Sequence, residues 1–147
     1  MSKNDSIHEI VRHYADADES SRLRTGWFQL EQARTQELIL RHLPQPPATI
    51  IDAGGGAGAY ACWLAARGYQ VHLIDPVPKH VEQSRAASSR QCEYQLASAE
   101  LGDARHLSYA DAIADAVLLL GPLYHLVKRE DRLACLREAR RSCAQEE

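Results

Sequence analysis

The stretch IIDAGGGAGAY, residues 50–60, decides the fold predicted for this chain. Apolar residues over 48–52 predict a short strand, and the alanine-rich stretch 57–68 predicts a helix that ends near Gly68. The glycines therefore fall in a turn between a strand and a helix. Such a turn gathers backbone amides and the positive end of a helix at one point, and glycines let a ligand approach that backbone. The stretch predicts a binding turn of the kind that nucleotide-containing ligands use.

The rest of the chain continues this alternation of strands and helices. Further strands are predicted over 69–75, 94–104 and 114–121, and further helices over 3–14, 27–43, 78–90 and 128–143. The pattern predicts a parallel sheet with helices on both faces, which is a Rossmann-like three-layer α/β fold. The proline-rich segment 44–47 separates an N-terminal helical cap, residues 1–47, from a binding domain over 48–147. AVLLL at 116–120 is apolar at every position, which is typical of a central strand buried on both sides.

Composition and charge argue against several classes of protein. The 147 residues carry a net charge of -3, so charge gives the chain no reason to bind nucleic acid or an anionic membrane. The N-terminus lacks the apolar core of a signal peptide, and the longest apolar run is far shorter than the roughly 20 residues of a membrane span. The cysteines and histidines show no spacing typical of a metal site. We therefore predict a cytoplasmic protein with reduced thiols, no metal, and no nucleic-acid or membrane partner.

Two aspartates narrow the choice of ligand. Residues 54–59 fit GxGxxA, a form of the dinucleotide fingerprint, and Asp75 ends the second strand at the distance where an acid binds ribose hydroxyls. Asp52 stands two residues before the first glycine, where its charge would repel the pyrophosphate of NAD. The ammonium and sulfonium groups of S-adenosylmethionine would instead be attracted. The residues favour S-adenosylmethionine, with an NAD(P)-binding oxidoreductase domain as the alternative, and an aspartate that only caps the turn as the structural alternative for Asp52.

Three motifs in order resemble those of the class I S-adenosylmethionine-dependent methyltransferases. IIDAGGGAGAY, followed by VHLIDP at 71–76, resembles the first two motifs of that family, in which the first strand reads apolar–Asp–x–Gly–x–Gly–x–Gly. Gly102-Asp103-Ala104 resembles the family's adenine site, although Gly-Asp also caps helices. Asp115 and AVLLLGPLYHL at 116–126 resemble the fourth-strand motif. The resemblance covers residues 48–140 and implies a cofactor site.

The resemblance implies a role for individual residues. An acid at Asp52 lies near the amino group of the cofactor, one at Asp75 accepts the ribose diol, and one at Asp103 accepts from the adenine amine. The segment 121–125 borders the transferable methyl group. The residues expected to bind S-adenosylmethionine are Asp52, Gly54, Gly56, Gly58, Asp75, Pro76, Asp103, Ala104 and Leu120.

Methyl transfer from a sulfonium needs alignment more than acid–base help, so a base is needed only where the acceptor must lose a proton. His125 is the candidate base, because it follows the fourth strand on the ligand side; local packing is the alternative. Tyr124 either lines the pocket or covers the edge of the sheet. Four polar residues of the N-terminal region are candidates to cover the cofactor or orient a polar substrate, with a solvated helix pair as the alternative for the last two: Tyr14, Arg24, Glu31 and Arg34.

The sequence provides fewer strands than the family it resembles. The family's sheet has seven strands in the order 3-2-1-4-5-7-6, whereas this sequence provides four, and its end resembles a truncated product. The strand at 116–120 would then form an exposed apolar edge, which predicts pairing with a second chain. We expect an S-adenosylmethionine-dependent methyltransferase for a small molecule with an incomplete substrate pocket. A non-catalytic binding or regulatory module that keeps the cofactor fold is the alternative.

Overall fold

The computed structural model describes residues 5–15 and 26–144, which form six helices and four strands. The elements in chain order are α1 (Asp5–Ala15), α2 (Trp27–His42), β1 (Thr49–Ala53), α3 (Ala59–Ala65), β2 (Gln70–Asp75), α4 (Pro78–Ser89), β3 (Ser98–Leu101), β4 (Ala116–Leu118), α5 (Pro122–His125) and α6 (Arg129–Ser142).

The four strands form one parallel sheet in the order β3-β2-β1-β4. This confirms the predicted α/β fold and its strand order. In the register of the sheet, Asp52 of β1 lies opposite Leu73 of β2, and Asp75 of β2 lies opposite Leu101 of β3. Because the strands are parallel, their carboxyl ends meet at one edge of the sheet, and the loops that follow them can form one site.

Successive residues of β1 face opposite sides of the sheet, and both sides are covered. Ile50 packs in a cluster with Leu64 of α3 and Val81 of α4. Ile51 packs in a second cluster with Leu126 and with Cys135 of α6. Both isoleucines are fully buried, as expected for a strand in the middle of a three-layer fold.

The structure corrects the prediction for the fourth strand. β4 pairs over Ala116–Leu118 only, it is half-buried, and within the described residues it forms the edge of the sheet. Its beginning is partly covered by the end of the chain, because the Ala144 N–H donates to the carbonyl of Ala114 at 2.7 Å. The apolar run 116–120 therefore does not form a long buried central strand, and its last part leads into the short helix α5, which the sequence did not predict.

The other boundaries differ from the predictions by a few residues. α3 ends at Ala65, and Gly68 lies in the turn beyond it with a φ of +89°. β3 covers only the last part of the weak strand predicted over 94–104. None of the helices in residues 5–15 and 26–144 is long and apolar enough to cross a bilayer.

Candidate functional site

A cavity of about 760 Å³ opens at the carboxyl end of the sheet. Its walls come from the loops after the four strands and from residues of the helices α1 to α5. All of the residues that the sequence proposed for cofactor binding or catalysis line this one cavity: Asp52, Gly54, Gly56, Gly58, Asp75, Pro76, Asp103, Ala104, Leu120, Tyr124 and His125.

Among the described residues, Asp52 is one of two buried aspartates that line the cavity. Its side chain is almost fully buried, and its Oδ2 atom has no hydrogen-bond partner among the described residues. Burial, and after it the charge of Asp75, raise the pKa of Asp52 from 3.8 to about 7. A carboxyl group in such surroundings gains most from a cation, because an opposite charge nearby restores the ionised form.

Gly55 makes this position of Asp52 possible, and the sequence motif did not single it out. A Cβ atom on Gly55 would lie 2.7 Å from Asp52 Oδ2 and 2.8 Å from Leu73 Cδ1. The turn therefore passes directly over the carboxyl group. Gly54 has a φ of +76°, a conformation that favours glycine, and Pro122 occupies the space that a Cβ atom would need. Both the backbone conformation and the close packing therefore require glycine at this position.

Asp75 ends β2 and is held by three donors of the protein. Its Oδ1 accepts the backbone N–H of Val77 at 2.9 Å and lies 3.0 Å from His80 Nδ1, while its Oδ2 accepts the N–H of Gly56 at 2.9 Å. These bonds tie the carboxyl end of β2 to the glycine turn and to the start of α4. His80 lines the cavity and is 3% exposed, and sequence reasoning missed it.

Asp103 is paired within the protein, which the sequence did not predict. Its Oδ1 accepts the backbone N–H of Arg105 at 2.9 Å, and its Oδ2 lies 2.8 Å from Nη2 of the same arginine. Arg105 also reaches Asp131 of α6 at 3.0 Å. Hydrogen bonding to Asp103, more than any other contact, raises the pKa of Arg105. The negative charge of Asp103 is thus largely balanced before any ligand is present.

The candidate base, His125, contacts Tyr14, which was expected only to cover the cofactor or orient a substrate. Tyr14 Oη of α1 lies 2.5 Å from Nε2 of His125 in α5. The ring of Tyr14 also contacts the edge of the His80 ring, with 5.0 Å between the ring centroids. Tyr124 stacks beside His125 at 4.2 Å and is two-thirds exposed. The proposed base therefore has a phenol as its partner, which the sequence alone did not reveal.

The remaining candidate residues of the N-terminal region lie in different places. Glu31 lines the cavity. Arg34 does not pair with Glu31, because its guanidinium bonds Glu37 on the exposed side of α2, as the spacing of one helical turn allows. Arg24 lies outside the described residues.

The fold and the site together define a class of protein. A parallel Rossmann-like sheet, a glycine turn after β1 and acids at the ends of β1 and β2 are the features of class I S-adenosylmethionine-dependent methyltransferases. A family model described as a methyltransferase domain matches residues 51–146. The chain belongs to this family, which sets aside the NAD(P)-binding alternative.

Individual relatives agree with this assignment. A ubiquinone biosynthesis O-methyltransferase of Methylocella silvestris is 35% identical in an alignment of 92 residues that covers 59% of this chain and 34% of that protein. The chain thus spans about a third of the length of this curated relative.

Solved structures share the fold at low sequence identity. The magnesium protoporphyrin IX methyltransferase of Synechocystis PCC 6803, solved with bound S-adenosylmethionine, has a TM-score of 0.76 at 18% identity and is matched over 92% of this chain and 70% of that one. Phosphoethanolamine N-methyltransferase 1 of Haemonchus contortus, in complex with phosphoethanolamine and S-adenosylhomocysteine, has a TM-score of 0.75 at 22% identity over 98% of this chain and 31% of that one.

Proposed function

We propose that this chain binds S-adenosylmethionine in the cavity and transfers its methyl group to a small molecule. One observation carries the proposal above the others. Asp52 is a buried carboxyl group with an orphaned oxygen, and it lies beneath the glycine turn of a methyltransferase-family fold. A ligand that brings an ammonium group to this point supplies the charge that the carboxyl group lacks.

The other residues of the cavity fit the rest of the same ligand. Asp75, at the end of β2, is suited to ribose hydroxyls, and the loop of Asp103 and Ala104 after β3 is suited to adenine. At about 760 Å³ the cavity is as large as the sites that enclose a cofactor-sized molecule.

When bound, S-adenosylmethionine supplies a methyl group already activated by a sulfonium. The protein's share is to align the acceptor and to exclude water. Where the acceptor is a hydroxyl or an amine, it must also lose a proton. The contact between Tyr14 and His125 forms a two-residue path for that proton, and both residues line the cavity.

A small acceptor is supported by the walls of the cavity and by the charge of the chain. Ile7 and Ile10 of α1 add apolar surface to a cavity wall that also carries the polar Glu31 of α2. A mixed wall of this kind suits a small organic acceptor, and the net charge of -3 gives no attraction for a nucleic acid. The names of the relatives point the same way, since the curated relative acts in ubiquinone biosynthesis and both solved structures are named for small acceptors.

Calorimetric titration tests the cofactor. We expect the chain to bind S-adenosylhomocysteine and not NADH. Asp75→Asn should weaken the binding, and Glu93→Gln, which neutralises an exposed acid outside the cavity, should leave it unchanged. Absence of S-adenosylhomocysteine binding by the wild-type protein would refute the proposal.

Transfer of a labelled methyl group to a panel of phenols, amines and carboxylic acids tests the reaction. We expect transfer to one of these classes. Cofactor binding without any transfer would instead support a non-catalytic binding module.

A further inference from the structure

His80 lines the cavity and has a buried ring nitrogen that nothing in the described protein bonds. The residue is 3% exposed, and its Nε2 atom has no hydrogen-bond partner among the described residues. Its Nδ1 lies 3.0 Å from Asp75 Oδ1. An ionised carboxyl group only accepts hydrogen bonds, so the Nδ1 atom carries the proton, and in the neutral ring Nε2 is an acceptor. A buried acceptor without a donor is costly unless a ligand provides one.

The hydrogen bonds of Asp75 show what the ligand must provide. A carboxylate oxygen accepts about two hydrogen bonds. Oδ1 already receives Val77 N–H and His80 Nδ1–H, and Oδ2 receives Gly56 N–H. Asp75 therefore has room for about one more donor, at Oδ2. A ribose diol has two O–H donors, so one of its hydroxyls needs a second acceptor.

We propose that His80 Nε2 accepts a hydrogen bond from one ribose hydroxyl of the cofactor, while Asp75 Oδ2 accepts the other. The inference rests on the proposed function, since it requires an adenosyl ligand in the cavity. His80 sits in the first turn of α4, and its Nδ1 is fixed by the acid that receives the other hydroxyl. The two acceptors are therefore held as one unit at the carboxyl end of β2, and His80 is a cofactor-binding residue as well as a support for Asp75.

Calorimetric titration of matched variants with matched ligands tests the inference. The ligands are S-adenosylhomocysteine and its 2′-deoxy and 3′-deoxy forms. His80→Asn keeps a short amide that can donate to Asp75 but has no atom at the position of Nε2. His80→Gln places an amide group there. We expect His80→Asn to weaken S-adenosylhomocysteine about tenfold and His80→Gln to recover most of that loss.

The deoxy ligands decide between a direct and an indirect role. The loss of affinity caused by His80→Asn should disappear with the deoxy ligand that lacks the hydroxyl from which His80 accepts a hydrogen bond. It should persist with the other deoxy ligand. An equal loss with all three ligands, or no loss with any, would overturn the inference and leave the proposed function intact. If the wild-type chain does not bind S-adenosylhomocysteine, the proposed function fails and the inference fails with it.

Nitrogen NMR of the wild-type protein gives a second readout that needs no variant to fold. We expect the His80 imidazole to carry its proton on Nδ1, and its Nε2 resonance to move when S-adenosylhomocysteine binds. The movement should be smaller with the deoxy ligand that lacks the hydroxyl. A protonated Nε2 in the free protein, or a resonance that no ligand moves, would contradict the proposal.

Discussion

Replacing Asp52 by asparagine should stabilise the ligand-free protein at alkaline pH while weakening its affinity for the cofactor. The carboxyl group is almost fully buried, and its pKa is raised from 3.8 to about 7, first by burial and then by Asp75. The difference between these two values corresponds to about 4 kcal/mol of folding free energy once the group is ionised. Asparagine has nearly the same shape and never ionises, so it removes this cost.

The sign of the pH dependence follows from the direction of the shift. In the unfolded chain Asp52 ionises near 3.8, whereas in the folded protein it keeps its proton up to about 7. Its contribution to stability is therefore fully present below 3.8 and is lost as the pH rises toward 7. At pH 4 the wild-type protein and Asp52→Asn should differ by less than about 1 kcal/mol, and at pH 8 the variant should be more stable by about 4 kcal/mol.

Urea unfolding at a series of pH values measures this difference. Glu93→Gln serves as the control, because it neutralises an exposed acid outside the cavity and should follow the wild-type curve. A saturating concentration of S-adenosylhomocysteine should raise the stability of the wild-type protein more than that of the variant at pH 8, since the ligand's ammonium group needs the carboxylate. Parallel curves for wild type and Asp52→Asn from pH 4 to 8 would refute the argument from burial.

Three further predictions concern the glycine turn, proton transfer and the edge of the sheet. Gly55→Ala should lower the free energy of unfolding by about 1–3 kcal/mol, because its Cβ would lie 2.8 Å from Leu73 Cδ1; an unchanged midpoint in a urea titration would contradict this. Tyr14→Phe removes the hydroxyl that contacts His125, so it should slow methyl transfer about 100-fold in a labelled-methyl assay without changing S-adenosylhomocysteine affinity; equal rates would exclude a role in proton transfer. β4, the edge strand of the described sheet over Ala116–Leu118, should pair two chains, and a monomer by light scattering at high concentration would exclude this.

The sequence was sufficient to predict which residues meet in the cavity where a strand end fixes the position. The positions of Asp52 and Asp75 in the cavity could be predicted, because β1 and β2 are parallel and their carboxyl ends lie at the same edge of the sheet. The length of β4 could not be predicted in this way. An apolar run shows that a strand is buried, but the number of residues that pair depends on its neighbours, and here only β1 pairs with it among the described residues.

Contacts between side chains that are distant in the sequence could not be predicted from the sequence patterns. Tyr14 and His125 are far apart in the chain, and no motif links a residue of α1 to one of α5. His80 offered a weak signal, since it stands in the first turn of α4 shortly after Asp75, where it can reach the carboxyl group. Asp103 and Arg105 are close enough in the sequence to form an ion pair. The resemblance of Gly102-Asp103-Ala104 to an adenine site, however, predicts only a contact with the ligand.

The three acids at the carboxyl end of the sheet differ in how far the protein already balances their charge, and this difference indicates an orientation for the ligand. Arg105 pairs with Asp103, and two backbone amides and an imidazole hold Asp75. Asp52 has an oxygen without a partner among the described residues. A cation is therefore needed most at the end of β1, while the ends of β2 and β3 suit neutral hydroxyls and an amine. S-adenosylmethionine has this distribution of groups, with its charge at the methionine end and a neutral adenosine at the other. A dinucleotide would bring a pyrophosphate to Asp52, so we expect the same glycine turn to select against it.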